Sequence, residues 1–239
     1  MVSLSDLKIK IFADGADTKG IFEMYQNPLI KGFTTNPTLM RKAGVADYQS
    51  FAREVLKIVK DKPISFEVLS DDFNEMERQA HKIAEWGTNV YVKIPVINTR
   101  NEFMTDLIKK LNRAGVKVNV TAMMTFEQVL KVTGALDGGT SACISIFAGR
   151  IADTGRDPNP LMASVVEYLK NYPNIELIWA SPRELLNIFQ ANSIGCHIIT
   201  VTNDILEKIT QVGKDLDLFS LETVKMFYED AQNAGYSLS

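Results

Sequence analysis

The sequence predicts an α/β fold, a (β/α)8 barrel with an extra C-terminal helix, on three observations. Eight short runs rich in β-branched residues alternate with longer stretches that carry apolar residues at three- and four-residue intervals. At 239 residues with 46% hydrophobic content, the chain is long enough to bury a large core. No G-x-G-x-x-G or Walker sequence follows any of the runs, which leaves the competing doubly wound sheet without its usual phosphate loop.

The elements follow in order. KIKIFAD (8–14) and GFTTN (32–36) are the first two strands. The amphipathic segment 46–61 leads to PISFEVL (63–69), and the helix pattern at 74–86 leads to VYVKIPV (90–96). VKVNVTAM (116–123) and ACISIFAG (142–149) come next. The helix pattern at 160–172 then precedes IELIWAS (175–181), and HIITVTN (197–203) is the eighth strand. One further amphipathic segment, 220–234, either closes the barrel or docks on another subunit. No linker or low-complexity stretch interrupts the pattern, so residues 1–239 read as one barrel domain with 220–239 as C-terminal helix and tail.

Bulk chemistry excludes several classes. A net charge of −3 gives no reason to expect a nucleic-acid or membrane-surface partner. The absence of an 18-residue apolar run argues against a membrane span, and the N-terminal MVSLSDLKIK has no apolar core of a secretory signal. Cys143 and Cys196 are the only cysteines, which argues against a disulfide framework and for a reducing, cytoplasmic setting. His81 and His197 stand apart from other ligand types, so no metal site is expected. Asn119-Val120-Thr121 matches a glycosylation sequon by chance, being strand-like and without an export signal. The methionines 24, 40, 104, 123, 124, 162 and 226 read as core filler.

In such a barrel the chemistry sits at the C-terminal ends of the strands, and residues two apart share a face. The last inward positions are Asp14, Thr34 and Asn36, Glu67, Lys93, Asn119 and Thr121, Ser145 and Phe147, and Ser181. Lys93 either reaches solvent from the strand end or has a task, and its apolar flanks favour the task. Glu67 within SFEVL needs a partner. Asp14 reads equally as a turn residue before Gly15, and Asn36 as one before Pro37. Asn119 and Thr121 either satisfy each other or hold water, and Phe147 reads as packing. SPRE (181–184) matches a capping box with Ser181 as N-cap. Arg150 and Arg183 beside such a helix start would suit a phosphate.

GFTTNPTLM, SFEVLSDD, NVYVKIPV, VNVTAMMTFEQV and SIFAGRIADTGRDP, in that order across residues 10 to 183, resemble the transaldolase family in its short single-domain form, which is related to fructose-6-phosphate aldolase. The resemblance implies a (β/α)8 TIM barrel that moves a dihydroxyacetone unit between sugar phosphates through a lysine Schiff base, without metal or organic cofactor. It makes Lys93 the Schiff-base lysine and Asp14 the acid/base at the end of the first strand. Glu67 and Thr121 match the pair that positions a catalytic water. Thr34 lies in the same TTNP motif as Asn36. Asn36 and Asn119 match the asparagines that hold the hydroxyls, and Ser145 and Phe147 match the sixth-strand Ser-x-Phe. Arg150, Ser181 and Arg183 match the phosphate grip. A lysine attacks a ketone as the free amine, and apolar surroundings such as Val92, Ile94 and Pro95 disfavour the charged form.

Phe147, together with Glu67, sides with transfer, since the simple aldolases resemble tyrosine at the position of Phe147. The family's usual Ser-Phe-Arg is Ser181-Pro182-Arg183 in this chain, and Pro182 offers no N–H to a phosphate. Arg156 is expected near the same mouth. The resemblance also implies a homo-oligomer built through the C-terminal helix. A same-scaffold aldolase and a barrel that binds a sugar phosphate without chemistry are the alternatives.

Overall fold

The computed structural model describes residues 4–238. Its strands are β1 (Lys10–Asp14), β2 (Ile30–Thr34), β3 (Ile64–Glu67), β4 (Val90–Pro95), β5 (Val118–Met123), β6 (Ala142–Ile146), β7 (Ile175–Trp179) and β8 (Ile198–Thr202). All pairings are parallel, and the sheet closes in sequence order from β1 to β8. The chain is therefore a TIM barrel. Between the strands run α1 (Thr18–Gln26), α2 (Pro37–Lys42), α3 (Tyr48–Ile58), α4 (Phe73–Ala84), α5 (Thr105–Arg113) and α6 (Phe126–Ala135). The second half carries α7 (Ala148–Ala152), α8 (Asn159–Leu169), α9 (Leu186–Ser193), the short α10 (Asn203–Leu206) and α11 (Leu216–Asn233).

Helix starts follow local chemistry. Asp17, Asn36, Asp47, Asp72, Thr125 and Asp215 each accept a first-turn N–H with the side chain, and Thr125 with Gln128 forms a reciprocal capping box. The strand β2 ends two residues earlier than GFTTN suggests, because Asn36 serves as the cap of α2 and Pro37 fills its first position.

Two apolar layers form the core. Outward residues such as Phe33, Phe66, Val92, Val120 and Ile144 are buried under the helices. Phe12, Cys143, Ile178, Ala180 and Ile198 form a second cluster, whose members come from β1, β6, β7 with the residue after it, and β8. They meet because alternate residues of those strands point into the barrel. Four of the seven methionines expected as filler are buried, but Met226 is 49% exposed on α11.

The helix α11 does not close the barrel. None of its residues is buried, and Leu216, Leu218, Phe219, Leu221, Val224, Phe227 and Tyr228 are all exposed. Among the described residues, no helix is long and apolar enough to cross a membrane.

Gly32 is required by close approach: a Cβ there would meet the Phe12 ring at 2.5–2.7 Å. Gly134, by contrast, sits within α6 with open space around its Cα. Chemical denaturation should therefore show Gly32→Ala losing roughly 1–3 kcal/mol to overpacking. Gly134→Ala should gain roughly 0.5–1 kcal/mol from reduced backbone entropy in the unfolded chain.

Candidate active site

The strand ends surround a cleft of about 590 Å³ lined by Asp14, Thr34, Asn36, Glu67, Lys93, Thr121, Ser145, Phe147, Arg150, Ser181 and Arg183, among others. Of the strand-end candidates and of Arg150 and Arg183 after them, Asn119 alone lies off this lining. It sits one layer deeper and fully buried, where it accepts from Ser145 Oγ at 2.8 Å and donates to Ser65 Oγ at 3.1 Å. Asn119 and Thr121 therefore do not satisfy each other. Thr121 Oγ1 is buried and has no hydrogen-bond partner among the described residues.

Lys93 is 6% exposed. Lys10, Lys62 and Lys117, at strand starts, instead reach Glu176, the Tyr25 carbonyl and the Thr88 carbonyl at the other end of the barrel. The Lys93 amine donates to the Thr35 carbonyl at 2.8 Å and stands 3.1 Å from Glu67 Oε2. This pairing follows from register, since Glu67 and Lys93 are direct neighbours across β3 and β4. Both side chains point inward, so the carboxylate that needed a partner and the buried amine supply each other.

Asp14 faces them from β1. Its carboxylate accepts from Thr34 Oγ1 at 2.8 Å and Asn36 Nδ2 at 3.4 Å. The turn reading of Asp14 gives way to this clamp, whereas Asn36 both caps α2 and joins the clamp. Burial raises the Asp14 pKa above its ordinary value, against the opposing pull of Lys93 and of the two hydrogen bonds. Thr34 Oγ1 also bonds Thr200 Oγ1.

The far wall is cationic. Arg150 lies 5.7 Å over the Phe147 ring and forms no ion pair among the described residues. Arg183 is engaged by Asp153 through a fork at 2.8 and 2.5 Å, and it donates to Ser181 Oγ at 2.9 Å. The capping box expected at Ser181 does not form: α9 begins at Leu186, and Ser181 has φ 61°. The Asn187 side chain accepts the Arg183 and Glu184 N–H groups that a Ser181 cap would have taken. Gly149 makes this approach possible, because a Cβ there would fall 1.5 Å from the Ser181 carbonyl oxygen. Arg156 is not on the cleft wall and turns to Thr154.

Sequence reasoning missed several residues. Thr200 and Thr202 of β8 line the mouth, and their alternation in HIITVTN is the signal that finds them. Ser65 shares the parity of Glu67. The Thr35 carbonyl is a backbone atom and leaves no compositional trace. Ala122, at φ 63°, adopts the left-handed region where β5 slips register against β6. Strained non-glycine residues at Ala122 and Ser181 therefore both face the cleft, where backbone strain tends to collect. No group of three His, Cys, Asp or Glu suited to a metal occurs among the described residues. Burial pushes the Cys196 thiol up to about 12 and Cys143 higher still, so neither is poised as a nucleophile.

Comparison with known proteins identifies the family of this barrel. The model of the transaldolase/fructose-6-phosphate aldolase family matches residues 11–238. The chain belongs to that family. A probable transaldolase from Dehalococcoides mccartyi is 35% identical over 204 residues, which cover 85% of this chain and 91% of the relative. One from a Thermoanaerobacter species is 33% identical over 236 residues, 96% of this chain and 100% of the relative. A third, from Nitrosopumilus maritimus, is 32% identical over 224 residues, 91% of this chain and 96% of the relative. Family membership makes the barrel a transaldolase-type enzyme of carbohydrate metabolism.

The pairing of Lys93 with Glu67 yields a thermodynamic prediction. In urea denaturation, Lys93→Met and Glu67→Gln should each destabilise the fold, and the double variant by less than their sum. The coupling should exceed about 1 kcal/mol, more than an exposed pair gives.

Proposed function

We propose that the enzyme transfers a dihydroxyacetone unit from a ketose phosphate to an aldose phosphate through a Schiff base on Lys93. The observation that carries this reading is the amine itself. It is buried, held by the Thr35 carbonyl and Glu67, and open only toward a mouth that also contains Asp14 and the unpartnered hydroxyl of Thr121. A buried polar atom without a protein partner, such as Thr121 Oγ1, is a place for an ordered water or a substrate hydroxyl.

In this reading Glu67 takes one proton from the Lys93 ammonium, the freed amine attacks the ketone carbon to form the C–N bond, and Glu67 passes that proton to the carbonyl oxygen. Glu67, with a water held against Thr121, accepts the proton leaving nitrogen and returns one to the departing hydroxyl, so that water is lost and the iminium remains. Asp14 then removes the proton of the hydroxyl beyond the scissile bond. The carbon–carbon bond breaks, an aldose phosphate leaves, and its bonding electrons stay on the lysine-bound fragment as an enamine. The enamine carbon attacks the acceptor aldehyde, Asp14 returns the proton, and hydrolysis frees Lys93. Thr34 and Asn36 orient Asp14, while Asn119 supports Ser145 from below. Arg150 offers a free guanidinium for the substrate phosphate, with Ser181 and Arg183 beside it. The Asp153 fork makes Arg183 the more constrained of the two arginines. Apolar Phe147 gives no hydroxyl to activate water at the enamine, which favours an aldehyde acceptor over protonation.

This reading carries with it a cytoplasmic enzyme made of one barrel domain. It also assigns α11, none of whose residues is buried among the described residues, to assembly with further copies.

Borohydride reduction with fructose 6-phosphate should leave a three-carbon adduct on the peptide containing Lys93, and Lys93→Ala should abolish it. Trapping on another lysine, or none, would sink the reading. Product should form only when an acceptor such as erythrose 4-phosphate is supplied, and Phe147→Tyr should shift the partition toward free dihydroxyacetone.

The pH profile has a definite sign. Asp14 acts as base in its ionised form, and a raised pKa means that this form is lost earlier as the pH falls. The acid limb of kcat/KM should therefore lie above 3.8, the ordinary Asp value, and should disappear in Asp14→Asn together with most of the activity.

A further inference from the structure

The ladder between β2 and β3 is short. Paired positions end at Thr34 and Ser65, and the last rung is the Thr35 N–H to the Ser65 carbonyl at 3.2 Å. In a parallel ladder the next rung would run from the Glu67 N–H to the Thr35 carbonyl. That rung is absent. The Glu67 N–H donates instead to the Tyr48 hydroxyl at 2.7 Å, and the same hydroxyl donates to the Glu67 carbonyl at 2.9 Å. The Thr35 carbonyl, left without a backbone donor, accepts the Lys93 amine at 2.8 Å.

We propose that Tyr48 is a positioning residue for the Lys93–Glu67 pair: its hydroxyl replaces the missing rung and leaves the Thr35 carbonyl for the amine. The inference rests on the reaction assigned above to Lys93, and it adds a residue from outside the barrel wall.

The surrounding structure supports a fixed brace. Tyr48 is the first residue of α3, directly after its Asp47 cap, whose carboxylate accepts the Ser50 N–H at 2.6 Å. Its ring meets Trp86 edge-on at 5.8 Å and Phe66 at 6.3 Å, and those two rings meet at 5.4 Å. Three packed aromatic rings aim one hydroxyl at one peptide unit. Burial raises the phenol pKa well above its ordinary value, so the hydroxyl keeps the proton it donates to Glu67. On the other strand, Asn36 and Pro37 turn β2 into α2, which carries the chain away from β3 just where the rung is lost. With the hydroxyl removed, the donor and acceptor of Glu67 are both unsatisfied. The Thr35 carbonyl is then the nearest ladder partner for its N–H, in competition with Lys93.

The test compares Tyr48→Phe with Trp86→Phe, which loosens the same aromatic group and keeps the hydroxyl. Tyr48→Phe should lower kcat roughly tenfold or more with KM within about twofold, since small misplacements of reacting groups cost rate before binding. Trp86→Phe should keep kcat close to the parent. Crystal structures of the parent and of Tyr48→Phe give a readout independent of turnover: the Lys93 amine should leave the Thr35 carbonyl in the variant. An amine still seated on that carbonyl overturns the inference, whatever the activity. An equal fall in kcat in both variants overturns it too, because general loosening then explains the effect. If the parent itself forms no lysine adduct, the reaction assigned above fails, and the crystallographic comparison still decides the brace.

Discussion

One unmade backbone hydrogen bond organises the mouth of this barrel. Where β2 departs for α2, the Thr35 carbonyl loses its ladder donor, and a buried polar acceptor without a partner costs roughly 1–3 kcal/mol. The Lys93 amine fills that vacancy from the adjoining wall, while Glu67 stands against it at 3.1 Å. Sheet geometry, hydrogen-bond satisfaction and charge pairing thus converge on a single nitrogen. The amine is fixed in position while its remaining side faces the cleft.

Opposed effects decide whether such a pair survives. Taking an ammonium and a carboxylate out of water costs several kcal/mol each, and mutual attraction offsets this only where geometry is good and further hydrogen bonds are made. Here the amine has the Thr35 carbonyl, and Glu67 keeps 18% side-chain exposure at the cleft. Nearby, Ala122 and Ser181 hold left-handed backbone at about 1–2 kcal/mol each by the usual steric penalty for L-residues. An unpartnered hydroxyl at Thr121 and a raised Asp14 pKa add to the same picture. Local stability is given up around one cleft, as in sites where groups are held ready for reaction.

Much of this was legible in the sequence. Eight strand runs and their intervening helices map onto the barrel in order, and charged residues inside apolar strands marked Glu67 and Lys93. Two-residue alternation placed Thr34, Thr121 and Ser145 correctly at the mouth. What failed was local rule against tertiary contact. SPRE satisfied the pattern of a capped helix, but Asp153 holds Arg183 and Asn187 takes the free N–H groups, so the helix starts later. The strand β2 ends two residues before GFTTN does because Asn36 serves a helix rather than a ladder. Tyr48 and the Thr35 carbonyl left no signal, since a side chain bonding a distant peptide unit has no periodicity. The apolar stripe of α11 did not reveal whether it would find cover within the chain. It does not.

The seating of the Lys93 nitrogen can be measured directly by nuclear magnetic resonance, through the scalar coupling that crosses a hydrogen bond between that nitrogen and the Thr35 carbonyl carbon. A resolved coupling to Thr35, in a lysine signal protected from exchange with water, is the expected result. A Lys93 signal with no such coupling, exchanging as freely as that of the exposed Lys8, would contradict it.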